Sequence, residues 1–149
     1  MVKLDPLKVS FEERGLEVKN NRGKLISLKG VLVGEVWFSS GQSNMVWTAG
    51  KSMCNELARE LASSKEDIPI REINIDTVSA LYPQKKATSE GGWKKANGAS
   101  GFSGLSLSFA YELYKELKMP IGILLSAHSN TRIEAFTQRE AIELSLIHI

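Results

Sequence analysis

The sequence has few of the residues from which metal sites and disulfides are built. Its 149 residues include one cysteine, Cys54, and two histidines, His128 and His148. A single cysteine excludes an internal disulfide and a cysteine-rich zinc site. Two histidines also argue against a histidine-based metal site. The helical pattern around Cys54 predicts a buried thiol rather than a nucleophile, because no histidine lies near it in the sequence.

The chain also lacks a strong charge imbalance and a long apolar run. Nineteen Lys and Arg residues oppose seventeen Asp and Glu residues, so the net charge is +2. This charge is too small to indicate a nucleic-acid or membrane partner. The sequence has no run of about 18 apolar residues, so it predicts no membrane span. The opening MVKLDPLKVSF has no apolar core of the kind found in a signal peptide.

The patterns that are present predict an alternation of strands and helices. Continuous or alternating apolar runs indicate strands at residues 31–38, 68–75 and 120–126, and helical periodicity covers residues 51–63 and 105–119. Such an order predicts an α/β fold with a parallel sheet. The nearly continuous run at residues 31–38 is typical of a strand that is buried on both faces.

Two further segments complete this main region, which we place at residues 30–143. Residues 79–103 form a long stretch rich in Gly, Ser and Lys, and loops of this length are often functional. Trp93 and Phe102 are expected to anchor it. Thr137 and Glu140 have the spacing of a capping box, which predicts that a last helix begins near Thr137.

Both ends of the chain differ from this region. Residues 1–29 contain short β-like runs at 8–12, 16–19 and 25–28, which we interpret as the tail of a preceding β domain. Residues 144–149 read LSLIHI, the translation of a transposase mosaic-end sequencing adaptor. We expect this hexapeptide to be an artefact that is kept out of structural reasoning, so His148 carries no functional weight.

Two polar loops follow predicted strands, SSGQSN after residues 31–38 and AHSNTR after residues 120–126. In parallel sheets, functional sites lie at the carboxyl ends of the strands. Ser43 in the first loop could therefore be a nucleophile, which would need a general base and donors for an oxyanion. Serine is also an ordinary turn residue. The layout by itself leaves both interpretations open.

Two longer segments carry a family resemblance. They read VLVGEVWFSSGQSNM and GFSGLSLSFAYELYKELKMPIGILLSAHSNTRIEAFTQREAI. In this order they resemble blocks of the sialate O-acetylesterase-like branch of the SGNH (GDSL-type) hydrolases. The resemblance implies part of a flavodoxin-like, three-layer α/β/α fold with a parallel sheet. It also implies hydrolysis of acetyl esters on sugars through an acyl-enzyme, without metal or organic cofactor, in an extracellular or periplasmic parent protein.

The same resemblance assigns roles to residues of the three blocks. Ser43 corresponds to the nucleophile, and its backbone N–H to one oxyanion donor. Gly101 corresponds to a second donor, with Gly104 as the alternative. Asn130 corresponds to a third donor, although many family members carry Gly-Gly-Thr where this chain has Ser-Asn-Thr.

Four other residues are expected to serve this site. Gln42 and Asn44 add amide groups beside Ser43. His128 is expected to line the substrate pocket, with the role of a substitute base as the alternative. Glu134 is expected to hold the loop of the third block in place.

The family's Asp-x-x-His block, which supplies the base and its orienting carboxylate, is absent from this sequence. We therefore expect the chain alone to be inactive, as a fragment of an acetylesterase. A second hypothesis is a non-catalytic domain that binds carbohydrate, and a third is an unrelated α/β module. The expected partner is an acetylated carbohydrate, and the sequence does not indicate an oligomeric state.

Overall fold

The computed structural model describes residues 5–78, 80, 82, 84–89 and 91–146, with the backbone alone for 144–146. Residues 147–149 of the suspected adaptor segment lie outside the described residues. The strands are β1 (Ser10–Lys19), β2 (Leu25–Val33), β3 (Glu35–Gly41), β4 (Ile70–Asn74), β5 (Lys94–Lys95) and β6 (Ile121–Ala127). The helices are α1 (Ser43–Val46), α2 (Asn55–Ser63), α3 (Gly104–Leu117) and α4 (Arg139–Leu146). None of the helices in the described part has both the length and the apolar character to cross a membrane.

Four strands form the main sheet in the order β3-β6-β4-β5. β6 lies parallel to both β3 and β4, and the short β5 adds an antiparallel edge. Parallel neighbours need crossover connections, which here contain α2 and α3. The predicted α/β fold with a parallel sheet is confirmed.

The core lies on one face of this sheet. Side chains of β4 and β6 on this face, including Ile70, Ile121 and Ile123, are buried with Phe102 and Leu107. Alternate side chains of a strand point to opposite faces, so each strand gives the core every second residue. The helices therefore cover the sheet through these positions.

The prediction that residues 31–38 form one strand buried on both faces is wrong. The run is divided at Gly34 between β2 and β3, and β3 is an edge strand that pairs only with β6 among the described strands. On the face away from α3, Val36 is 59% exposed and Phe38 is 67% exposed. Trp37, on the other face, meets the Phe109 ring edge-on at 5.2 Å between centroids, yet it is not fully buried.

Close packing explains why the run breaks at Gly34. A β-carbon at this position would lie 2.0 Å from the carbonyl oxygen of Pro120. The next residue, Glu35, donates its backbone N–H to the same oxygen at 3.0 Å. The chain therefore passes the start of β6 so closely that only glycine fits, and it then enters the main sheet.

β1 and β2 form an antiparallel hairpin that packs beside the main sheet. The two predicted runs at 8–12 and 16–19 belong to the single strand β1, and β2 extends past residue 29 to Val33. Arg71 of β4 donates a hydrogen bond to the Gly30 carbonyl and forms an ion pair with Glu13, which also pairs with Lys95. These contacts tie the hairpin to the sheet.

The predicted capping box at Thr137 is wrong. The Thr137 hydroxyl donates to the Ile133 carbonyl at 2.9 Å, so it completes the 3₁₀ turn Ile133–Phe136 instead of capping a helix. α4 begins two residues later, at Arg139. Serine and threonine side chains often bond to a nearby carbonyl in this way, which competes with capping.

Candidate functional site

Ser43 lies at the carboxyl end of β3, where the chain turns sharply into α1. Gly41 makes this turn with a φ of 147°, in the region that favours glycine, and a β-carbon there would lie 2.8 Å from Cγ of Met45. Ser43 is the first residue of α1 and is half-buried. Within the described ranges its hydroxyl has no hydrogen-bond partner, so it is free to meet a ligand.

The loop after β6 lies beside the Ser43 loop. Gly41 and Ala127 are register partners at the ends of β3 and β6, and the His128 backbone N–H donates to the Gly41 carbonyl at 3.0 Å. The side-chain amide of Gln42 donates to the Thr131 carbonyl. The first and third sequence blocks therefore meet at the same edge of the sheet, because parallel strands end there together.

The segment before α3 is paired with the residues that follow α1. The Ala49 N–H donates to the Phe102 carbonyl at 2.7 Å, and Thr48 forms an antiparallel bridge with Ser103. Phe102 is fully buried, whereas Trp93, the other predicted anchor of this loop, is 46% exposed. The second sequence block is thus held against the first by backbone hydrogen bonds.

The two glycines of this second block differ in their surroundings. The Gly104 N–H donates to the Trp47 carbonyl at 2.9 Å, so it is already used within the fold. Gly101 is exposed, has open space where a β-carbon would lie, and is the last residue of the 3₁₀ helix Ala96–Gly101. The role of Gly101 as an oxyanion donor, with Gly104 as the alternative, stays a prediction.

The other predicted site residues lie on the outer side of these loops. Asn44, His128, Asn130 and Glu134 are all exposed, and none of their side chains forms a hydrogen bond or ion pair with the described residues. Asn130 has a φ of 59°, a left-handed conformation that asparagine tolerates. The expected role of Glu134 in holding the loop stays a prediction, since its carboxylate has no such partner there.

The described residues contain no group of three or more His, Cys, Asp or Glu side chains placed to hold a metal ion. Cys54 is half-buried rather than buried, and its Sγ lies 2.9 Å from the Ser108 hydroxyl. This thiol therefore joins the residue that precedes α2 to α3, and it lies outside the three loops around Ser43.

Glu72 is an important residue that the sequence reasoning missed. It lies in the middle of β4, is 0% exposed, and faces the helices with Ile70. The Ser103 backbone N–H donates to its two carboxylate oxygens at 3.1 and 3.3 Å. The strand alternation in IPIREINI places Glu72 on the same face as Ile70, so a charged residue at an apolar position was the available clue.

Burial raises the pKa of Glu72 from an ordinary value of 4.5 to about 7. The charged form is disfavoured because water cannot reach it, while the Ser103 N–H and the nearby charge of Lys94 act in the opposite direction. Near neutral pH, this carboxyl group is therefore poised between its protonated and ionised forms.

We expect the free energy of unfolding to fall by about 2 to 3 kcal/mol between pH 5 and pH 8 from Glu72 alone. The folded state holds the proton up to about pH 7 and the unfolded state releases it near 4.5, so the stability is full below 4.5 and is lost as the pH rises through 7. Urea denaturation at both pH values measures the difference. Glu72→Gln should reduce this dependence, whereas Glu112→Gln, which changes an exposed carboxylate paired with Lys115, should leave it unchanged.

Comparison with known proteins finds similar sequences and a similar fold. The chain is 29% identical over 157 residues to the sialate O-acetylesterase of Homo sapiens, covering 96% of this chain and 29% of that protein. The enzyme of Mus musculus is 28% identical, with 96% and 28% covered. A crystal structure of a carbohydrate acetylesterase from Xanthomonas citri superposes with a TM-score of 0.75 at 28% identity, over 86% of this chain and 29% of that one. No protein-family model matches the sequence.

The fold is thus the α/β fold of a carbohydrate acetylesterase. The relatives are named sialate O-acetylesterase. The resemblance predicted from the sequence blocks is confirmed as a similarity in sequence and fold. The chain spans less than a third of the length of these relatives.

Proposed function

We propose that this chain is the nucleophile-bearing part of an acetylesterase that acts on acetylated carbohydrates, with an extracellular or periplasmic site of action. The observation that carries the proposal is the free hydroxyl of Ser43 at the edge where three loops meet. A serine between a strand and a helix is exposed to substrate and has backbone N–H groups close by. The names of the relatives supply the substrate class, an acetyl ester on a sugar such as sialic acid.

In the proposed reaction, Oγ of Ser43 attacks the carbonyl carbon of the acetyl group. The Ser43 proton passes to a base, and the negative charge that forms on the carbonyl oxygen is stabilised by N–H donors from Ser43 and Gly101, with the Asn130 side chain as a third donor. The carbon–oxygen bond to the sugar then breaks, and the sugar leaves as an alcohol after taking up a proton. Water hydrolyses the acetyl-serine, which releases acetate and restores the hydroxyl.

The base is the component for which this chain offers no strong candidate. The sequence contains no Asp-x-x-His, and the exposed His128 imidazole has no carboxylate partner among the described residues to orient it. A serine hydroxyl without an oriented base is a weak nucleophile. We therefore expect the 149-residue chain alone to hydrolyse acetylated sugars no faster than buffer does.

Replacement of the nucleophile tests the proposal directly. In a gene product long enough to include an Asp-x-x-His block, Ser43→Ala is expected to lower kcat/KM for an O-acetylated sugar by at least about 10³-fold. Acetate release measures the rate. Ser40→Ala is the matched control, because Ser40 is an exposed serine within β3, and it should change the rate by no more than a few-fold.

Two results would contradict this assignment. Full activity in Ser43→Ala would remove Ser43 as the nucleophile. Turnover by the 149-residue chain that disappears in Ser43→Ala would show that no downstream base is needed, and the rate of His128→Ala would then identify or exclude His128 as that base.

A second candidate function is carbohydrate binding without catalysis. It is favoured by Trp47, which directly follows α1 and is 60% exposed, because exposed aromatic faces can pack on sugar rings. Binding of an acetylated sugar by Ser43→Ala with unchanged affinity, in a gene product that shows no hydrolysis under any condition, would favour this alternative.

A further inference from the structure

Glu72 lies beneath the loops of the candidate site, but the proposed reaction does not use it. A carboxyl group with 0% exposure is costly unless it is hydrogen-bonded, and its partner here is a backbone N–H rather than a basic side chain. That N–H belongs to the peptide group between Phe102 and Ser103. The position of this peptide group makes the contact informative.

The peptide group between Phe102 and Ser103 is hydrogen-bonded at both of its ends. Its N–H donates to Glu72 at 3.1 Å, and its carbonyl accepts the N–H of Ala49 at 2.7 Å. Ala49 lies close after α1, which begins at Ser43. A single peptide group thus connects the buried carboxyl of β4 with the segment that follows Ser43.

The residues on either side of this peptide group strengthen the connection. Ser103 caps α3, because its hydroxyl accepts the Ser106 N–H at 3.3 Å, and the Ser106 hydroxyl contacts that of Ser39 in β3 at 2.7 Å. Gly101 lies directly before Phe102. Any shift of the peptide group would therefore move the predicted oxyanion donor relative to Ser43.

We propose that Glu72 is a positioning residue whose buried carboxyl fixes the peptide group between Phe102 and Ser103, and thereby holds the loop of Gly101 against the segment that follows Ser43. The catalytic meaning of this inference rests on the proposed function. The coupling between the Glu72 carboxyl and the hydrogen bond of Ala49 does not depend on it. Hydrogen bonds in a chain polarise one another, so a charged acceptor at the N–H strengthens the bond at the carbonyl of the same peptide group.

The surroundings of Glu72 contain few groups that could imitate its effect. Lys94 of β5 is its register partner and the charged group that acts on it, and Ile123 is its apolar partner in β6. At the start of α3, the backbone N–H of Ser103 is its hydrogen-bond donor. Arg71, next to Glu72 in β4, is bonded to Gly30 and Glu13 on the hairpin. If amide chemical shifts in this region change near pH 7, the loss of that change in a Glu72 variant therefore assigns it to Glu72.

Nuclear magnetic resonance of the 149-residue chain tests the proposal between pH 5 and 8.5. The chemical shifts of the Ser103 and Ala49 amide protons are expected to change together with pH. The midpoint of both titrations should equal the midpoint measured from the chemical shift of the Glu72 carboxyl carbon. The Ser103 proton should move downfield as Glu72 ionises, because charged acceptors form stronger hydrogen bonds. In Glu72→Gln both titrations should disappear, whereas Glu112→Gln should retain them.

Hydrogen exchange at a fixed pH of 6 separates positioning from a purely electrostatic shift. Glu72→Leu fills this buried site with an apolar side chain that offers no hydrogen-bond acceptor. It is expected to increase the exchange rates of the Ala49 and Gly104 amides by tenfold or more relative to those of the α2 amides. Glu72→Gln, whose amide oxygen can still accept the Ser103 N–H, should restore most of the protection.

The outcomes distinguish this proposal from the function on which it draws. If the Ala49 amide does not titrate with Glu72, or if protection in Glu72→Leu equals that of the unchanged chain, the positioning role is wrong even where Ser43 proves to be the nucleophile. If the coupling is observed but Ser43→Ala retains full esterase activity, the proposed function fails and the connection between the loops stands.

Discussion

Gly34→Ala is expected to lower the free energy of unfolding by about 2 to 4 kcal/mol. The added methyl group would lie 2.0 Å from the Pro120 carbonyl oxygen and 2.8 Å from its carbon, both of which belong to the backbone. A backbone atom cannot rotate away as the end of a flexible side chain can. The start of β6 or the junction between β2 and β3 must therefore move. Urea denaturation followed by circular dichroism measures the change.

Gly98→Ala is the matched control for this prediction. A β-carbon at Gly98 would have no heavy atom within 4 Å, and its φ of −99° suits any residue. We expect a change within about 0.5 kcal/mol, as for most substitutions away from the core. Equal stabilities for the two variants would show that Gly34 does not pass Pro120 as closely as described.

Phe102→Ala is expected to lower the free energy of unfolding by about 3 to 5 kcal/mol, which is comparable to the whole stability of many small domains. Phe102 is among the largest side chains that are fully buried, and it packs in the core beside Leu107 and Ala99. Its removal leaves a cavity directly below the peptide group that joins Glu72 to Ala49. Either a large decrease in the denaturation midpoint or the loss of a cooperative transition is the expected result.

Phe38→Ala is the comparison that makes this result specific. It deletes the same side chain from β3, where Phe38 is 67% exposed, and it should cost less than about 1 kcal/mol because little apolar surface is uncovered. An effect of Phe38→Ala as large as that of Phe102→Ala would mean that the exposed face of β3 is covered in the folded protein. An effect of Phe102→Ala below 1 kcal/mol would contradict its burial.

The candidate site was predictable from the sequence as far as its loops are concerned. The runs that precede SSGQSN and AHSNTR indicated strands, and parallel strands bring such loops to the same edge. The register of Gly41 with Ala127 agrees with that expectation. The hydrogen bond from the Gly104 N–H to the Trp47 carbonyl was beyond the sequence, because it is a tertiary contact between residues far apart in the chain.

Glu72 illustrates the opposite case. Within IPIREINI the clue is a charged residue on the face of Ile70, but alternation cannot say which face of the strand is covered. Only the packing of α3 on the face of Ile70 places this carboxyl in the core, beside the Ser103 N–H. Its raised pKa and its role as a link between two loops follow from that placement.

The apolar run from Val31 to Phe38 misled for a related reason. Its composition is that of a strand covered on both sides. Hydrophobic residues indicate a tendency to be buried, but they do not indicate which part of the chain covers them. The structure divides the run at Gly34, a position set by the approach of Pro120, which is distant in the sequence.

The sequence by itself determined the alternation of the main strands and helices, the α/β class and the position of Ser43 after a strand, because periodicity and turn residues are local properties. The tertiary structure alone decided which face of the sheet is covered, where β2 gives way to β3, and that a buried Glu72 lies beneath the candidate site. These features depend on contacts between residues far apart in the chain, such as Glu72 with Ser103 and Gly34 with Pro120, and no local pattern encodes such contacts.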